Sequence, residues 1–387
     1  MSSKRKGFFI LLFILIIPIH VPAVQTTEIG SISEEGAAEI QSGFDTSGIP
    51  SVQAAIVFNN SLVWAKGYGE QSSLDTVYRT GSVTKTFTAA AFVKLQEEGL
   101  IDLDDDVSDY LPFQVRNPKQ PDIVITIRMI IEHKAGFRSL YQFDQPWYDP
   151  AIRQWLLDNG LQSSLPEVTS FNGTRRPLRD IINSTNINDL DAWSSTTGTY
   201  VYSDTGYFFL SFLLEHITDD TWSNYIHDSI LSPLGMDDTE FNITNTSNPI
   251  AFPYLESPEN GTLIKIPIYK EFGYGAGAMI TTAPDLAKFL VMVLNGGEYN
   301  GVEIFQSHSI PLLKQYLQPY GNMVGYSAIA ELLNAENCNI GIVLLANWPH
   351  GPPASMWSAM VTEATCEDTT TTTSTDLGGP GNDDITL

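Results

Sequence analysis

A serine hydroxyl and a lysine amine stand three residues apart in Ser82-Val83-Thr84-Lys85, within the run Tyr78 to Ala89. On a helix, residues i and i+3 share a face about one turn apart, so the amine can reach the hydroxyl. A serine is a weak nucleophile until a neighbouring base takes its proton. Lysine can be that base if desolvation lowers its pKa from roughly 10.4. The spacing alone is not specific: Ser3 and Lys6 repeat it in a segment that cannot be catalytic. For the pair taken by itself, a helix start with a chance lysine is the alternative.

The surrounding elements favour the second copy. Gly81 suits a tight strand-to-helix junction, and an amphipathic run from Phe87 to Glu98 follows up to a Gly99 stop. Upstream, Val52 to Phe58 and Ser61 to Gly67 read as strands joined by Asn59-Asn60, a hairpin signal. From about Gly99 to Asn248 the chain reads as helical and loop-rich, with Thr126 a cap for the helix leading to His133. Further helices are expected over Tyr207 to Ile217 and Trp222 to Leu231. Strand-like residues return near Leu263 to Ile268. Thr282 and Pro284 then open another helix. Cys338 to Ala346 is the clearest strand, and Pro353 to Ala364 a closing helix. Strands at both ends with helices between them predict a sheet lobe, about 48–98 plus 260–367, holding an inserted helical lobe, about 99–259. The whole domain spans 24–367.

Several further runs accompany Ser82 and Lys85 in order. They are Ile125-Thr126-Ile127-Arg128-Met129-Ile130-Ile131-Glu132-His133, Tyr202-Ser203-Asp204-Thr205-Gly206-Tyr207, Leu231-Ser232-Pro233-Leu234-Gly235-Met236-Asp237-Asp238-Thr239, and Ala276 to Phe289. Together they resemble the serine β-lactamase-like and penicillin-binding hydrolases, most closely the class C β-lactamase, D-aminopeptidase and esterase branch. The resemblance covers about residues 48–365. It implies an α/β (α+β) fold of the β-lactamase/transpeptidase type, an antiparallel sheet flanked by helices. It also implies that Ser82 attacks a carbonyl to form an acyl-enzyme, with Lys85 and the Tyr202 hydroxyl sharing the proton work. Asp204 stands where the family usually has asparagine, a substitution that its esterase-like members also show. A carboxylate there accepts rather than donates, and would pair with Lys85 or with polar groups of the substrate.

The third motif departs from the pattern. Gly325-Tyr326-Ser327 is recognisable, but Pro319-Tyr320-Gly321 falls where Lys/His-x-Gly should be, so the basic residue is absent. The stretch before Gly325 is also short, as though a deletion joined two strands near Gly321-Asn322. An oxyanion hole needs two backbone N–H groups aimed at one oxygen. Ser82 supplies one, and Asn322 is the nearest candidate for the other. Without the basic residue, esters or amides are expected as substrates rather than molecules anchored by a carboxylate. The rival expectation is a pseudoenzyme that keeps the fold for binding or scaffolding. Tyr320-Gly321-Asn322 lacks the flanks of a catalytic Tyr-x-Asn and is set aside as the base.

Other chemistries find no support. There is no Gly-x-Ser-x-Gly elbow, P-loop or His-Glu-x-x-His, and no cofactor or metal is expected. His133, His216, His227, His308 and His350 read as capping or surface groups, and the glycines of 273–277 as backbone close to a site wall. The 387 residues carry 20 basic and 45 acidic side chains, a net charge of −25, which argues against nucleic acid or an anionic membrane surface as partner. Lys4, Arg5 and Lys6, the apolar run Phe8 to Ile19 and Val21-Pro22-Ala23 predict a signal peptide over 1–23. The alternative is an uncleaved anchor. Sequons at Asn59, Asn172, Asn183, Asn242, Asn245 and Asn260 agree with a secreted glycoprotein. Cys338 and Cys366 are the only cysteines and would form one disulfide in an oxidising compartment, or stay as two unpaired thiols. The Thr-rich tail, 368–387, has almost nothing to bury and is expected to be disordered.

Overall fold

The computed structural model describes residues 28–71, 73–139, 149–161, 182, 187, 189–335 and 338–364. The leader, the tail, Cys366, Asn172 and Asn183 lie outside the described residues, and so does the Cys338–Cys366 pairing. Of the remaining sequons, Asn59, Asn245 and Asn260 are exposed and Asn242 is half-buried.

Six strands form one antiparallel sheet: β1 (Glu28–Gly30), β2 (Ser51–Phe58), β3 (Ser61–Gly69), β4 (Tyr320–Met323), β5 (Tyr326–Ala335) and β6 (Cys338–Ala346). Their order is β1-β3-β2-β6-β5-β4, so the two ends of the chain meet at the centre through the β2–β6 pairing. The hairpin β2–β3 turns on Asn59 and Asn60, with φ of 45° and 68°. Two successive positive φ values are what a two-residue turn matching the strand twist requires.

Strand alternation divides the core into two layers. Val52, Ala54 and Ile56 of β2, with Ile340, Ile342 and Leu344 of β6, face one side. There they meet Ile40 of α1 (Glu34–Ser47) and Met356 and Met360 of a C-terminal helix, Ala354–Ala364. Ala55, Val57, Val343 and Leu345 face the other side, and there they join the larger core with the helix Ala283–Leu294. Strand β1 and helix α1 extend the sheet lobe upstream of the boundary expected from the sequence. Helix α1 is fastened by Ser33, whose Oγ caps Gly36 N–H at 2.9 Å and donates to Glu363 Oε2 at 2.6 Å.

The larger core encloses α2 (Thr84–Glu97), in which Thr84 to Val93 are all buried. The expected amphipathic helix is thus buried on every side over its first ten residues, polar ones included, and runs between the sheet lobe and the inserted helices. Among the latter, α3 (Asp204–Thr218) is the longest within the described residues and starts on the Ser203 cap. Thr126 caps Ile127–Ile131 as expected, and Thr282 caps Ala283–Leu294. The antiparallel sheet flanked by helices, with a helical insertion, is the architecture the sequence predicts.

Candidate active site

Ser82 lies in a 3-10 turn, Gly81–Val83, that runs directly into α2, so Lys85 sits one turn beyond it on the same face. Lys85 Nζ is 3.1 Å from Ser82 Oγ. Tyr202, brought in just ahead of α3, places its hydroxyl 2.6 Å from the same Oγ. Asp204 opens α3, and its Oδ1 accepts from Lys85 Nζ at 2.5 Å and from the Tyr202 hydroxyl at 3.1 Å. Four residues from two distant stretches of chain thus form one connected network.

Lys85 is fully buried. Its third acceptor is the Ala276 carbonyl, at 2.6 Å. An ammonium has three protons and no lone pair, and three acceptors surround this one. Desolvation opposes the charge, but the Asp204 carboxylate and Tyr202 outweigh it, so the Lys85 pKa is raised. The fall that would make lysine a base does not occur here: the Asp204 carboxylate, 119 residues away and expected from the resemblance as a partner of Lys85, holds the proton on the amine. Tyr202 is also raised, mainly by burial, although Lys85 acts in the opposite direction. In the resting state Lys85 is therefore an ammonium and Tyr202 a neutral phenol. The phenol accepts from Ser82 and donates to Asp204.

The segment carrying Ala276 is locked from behind. Thr88 Oγ1 donates to the Gly275 carbonyl at 3.0 Å, and Gly275 N–H donates to Ser211 Oγ at 2.9 Å. The glycines of 273–277 do line the site wall, as the sequence suggested.

Opposite this wall stands β4, the sheet's edge strand. Its backbone touches that of the Ser82 turn. A Cβ on Gly321 would fall 1.9 Å from Thr80 O and 2.8 Å from Ser82 N, and one on Gly81 would fall 2.5 Å from Asn322 O. Glycine is required at both positions for two backbones to approach so closely, and Gly81 also has φ of 51°. The strand that the sequence put in doubt is thus present, joined to β5 by a tight turn at Val324-Gly325. In the β4–β5 ladder Ala330 N–H donates to Pro319 O, so Pro319 is in a hydrogen-bonded pair. Antiparallel alternation then puts Gly321 and Met323 in bonded pairs and turns the N–H of Asn322 to the free edge, toward the Ser82 turn. The side chain of Asn322 shares a face with Tyr320, whose hydroxyl reaches Glu331 on the outer layer. Asn322 therefore offers the site its backbone. Pro319 stands where a basic side chain was expected.

His133 is the residue that sequence reasoning misplaced. It is buried, and its Nδ1 accepts from Ser203 N–H at 3.0 Å. Its ring lies 4.6 Å from that of Tyr202.

The site thus combines a serine at the start of a buried helix, a lysine one turn on and a tyrosine from the inserted lobe. The sequence model of the family described as Beta-lactamase matches residues 37–361, and the chain belongs to that family. It is 28% identical over 287 residues to Beta-lactamase-like protein 4 of Dictyostelium discoideum, a match covering 68% of this chain and 45% of that protein. It is 24% identical to Protein flp of Staphylococcus aureus strain N315, covering 77% of this chain and 60% of that one. The chain thus spans less than two thirds of the length of these relatives. Among solved structures, the octameric penicillin-binding protein homologue from Pyrococcus abyssi aligns with a TM-score of 0.62 at 23% identity, over 85% of this chain and 76% of that one.

Proposed function

We propose that the protein is a secreted serine hydrolase that cleaves an ester or amide through an acyl-enzyme on Ser82. The observation that carries this reading is the unbroken hydrogen-bond path from Ser82 Oγ through the Tyr202 hydroxyl to Asp204 Oδ1, with Lys85 Nζ beside it. As Ser82 Oγ bonds to the substrate carbonyl carbon, its proton passes to Tyr202, and the proton of Tyr202 passes to Asp204. Lys85 stays an ammonium and stabilises the charge developing on Oγ. Collapse of the tetrahedral intermediate breaks the bond to the leaving group, which takes the proton back along the same path. Water then repeats the cycle against the acyl-enzyme, and Oγ regains its proton.

The carbonyl oxygen becomes an oxyanion in each half-reaction. Ser82 N–H, in the first turn of a helix where no intrahelical acceptor exists, and Asn322 N–H on the free strand edge are the two donors assigned to it. Pro319 itself supplies no cation to anchor a substrate carboxylate, which favours neutral esters or amides. The leader over 1–23 and the exposed sequons at Asn59, Asn245 and Asn260 support secretion. The net charge of −25 supports a small-molecule or peptide substrate over a nucleic acid or a membrane.

Pro319 favours one second reading, a pseudoenzyme that uses the fold for binding. Labelling with a fluorophosphonate probe separates the two. A hydrolase labels on Ser82, and Ser82→Ala abolishes the signal. Folded protein that takes up no probe would favour the pseudoenzyme.

A further inference from the structure

The segment that delivers Tyr202 has little regular structure of its own. Residues 198–203 precede α3 as irregular chain and run beside His133 and Lys134. Three bonds tie the two stretches: Gly198 N–H to Lys134 O at 2.7 Å, Val201 N–H to His133 O at 2.8 Å, and Ser203 N–H to His133 Nδ1 at 3.0 Å. The last falls on the peptide between Tyr202 and Ser203, the residue that links Tyr202 to Asp204. Ser203 has already committed its Oγ to capping α3, through Gly206 N–H at 3.1 Å. Ser203 is itself buried. Its N–H, facing no backbone acceptor, would be left without water or partner were the imidazole absent, a costly state for a buried donor.

His133 is built for this contact at some local expense. Its φ is 57°, in the left-handed region that a residue other than glycine seldom adopts. Only 3% of it is exposed. Its ring packs against Tyr202 at 4.6 Å and Tyr207 at 5.2 Å between centroids, with Tyr200 edge-on at 5.7 Å. A backbone N–H can only donate, so Nδ1 is an acceptor and a neutral ring carries its proton on Nε2. That atom is buried and has no hydrogen-bond partner among the described residues.

We infer that His133 is a positioning residue for the reaction: its imidazole fixes the Tyr202–Ser203 peptide, and through it the placing of Tyr202 and Asp204 and the two steps of the proton path. The inference rests on the proposed use of that path. Burial, and after it the Lys85 ammonium, push the His133 pKa down to about 4 against the opposing pull of Asp204, which agrees with a neutral ring at physiological pH. The faces of Tyr200, Tyr202 and Tyr207 add no charge while those phenols are neutral. A protonated ring would point an N–H at an N–H.

Two substitutions isolate the acceptor from the backbone. Asparagine tolerates the left-handed region and offers Oδ1 in place of Nδ1, whereas glycine tolerates it without any acceptor. With p-nitrophenyl acetate as substrate, His133→Asn should keep kcat within about threefold of the wild type. His133→Gly should lose about tenfold or more in kcat with KM changed less than about twofold. Equal kcat in folded glycine variant and wild type would overturn the inference, as would equal losses in both variants. A wild-type protein with no turnover and no fluorophosphonate labelling would instead defeat the proposed function. In that event, or if the glycine variant does not fold, the imidazole 15N spectrum of the wild type still decides. The resonance missing from His133→Asn should show a bare, hydrogen-bonded Nδ1 and a protonated Nε2 at pH 7. A proton on Nδ1 would overturn the assignment.

Discussion

The two walls of the site are made from different materials. One is a set of side chains, Ser82, Lys85, Tyr202 and Asp204, bound to one another by hydrogen bonds of 2.5–3.1 Å. The other is bare backbone, Gly321-Asn322 on an edge strand, pressed against the Ser82 turn with no room for a Cβ. The side-chain wall is sensitive to charge, because a buried ammonium persists only beside its carboxylate. The backbone wall is sensitive to shape and tolerates a change of side chain. A protein can therefore lose the basic residue of the second wall and keep its strand, which is what Pro319 shows.

Substitutions that strike one wall at a time should behave accordingly. The largest effect falls on the nucleophile: Ser82→Ala should lower kcat by about 10⁴-fold or more in an ester-hydrolysis assay. Asp204→Asn comes next. It removes both the proton acceptor and the counterion of Lys85, and kcat at pH 7 should drop by about 10²–10⁴-fold. An unchanged kcat would break the relay through Tyr202.

On the backbone wall, Asn322→Pro deletes the N–H and should cost about 10²–10³ in kcat. Proline leaves the ladder intact, because its nitrogen faces away from β5, but its ring enters the close contact with the Ser82 turn, so melting should fall as well. Asn322→Ala keeps the N–H and should cost less than about threefold. Equal losses in the two variants would show that the side chain, not the backbone, faces the substrate.

A smaller effect concerns stability. His133 is held below its unfolded pKa of roughly 6.5, at about 4, so the unfolded chain binds more protons between those values. Stability should rise with pH across that window and fall as the ring is protonated toward pH 4, by about 3 kcal/mol at most. Denaturant titrations of wild type and His133→Asn at pH 4.5 and 7 check this: the asparagine variant should lose much of that slope.

The central sheet is legible in the sequence because β2 and β6 are short, near-continuous apolar runs buried on both faces, and because Asn59-Asn60 accepts two positive φ values. Helix α1 is not, since only Gly36, Ile40 and Gly43 of its residues are buried and its apolar stripe is too thin to read. Strand β4 escapes for another reason. Pro-Tyr-Gly-Asn has no alternation, and its place depends on β5 and on the Ser82 turn. The spacing of Ser82 and Lys85 gives reach, but not the sign of the lysine's pKa shift. That sign is set by Asp204, which only folding brings within 2.5 Å. His133 looks like a helix-end histidine until the chain that follows Tyr200 is folded back over it.

The most direct test of the account is the intact mass of the protein during turnover of an aryl acetate, quenched in acid within the first cycles. A single acetyl adduct should appear, map to the peptide containing Ser82, decay as substrate is exhausted and be absent from Ser82→Ala. Hydrolysis without any adduct, or an adduct that survives in Ser82→Ala, would contradict it.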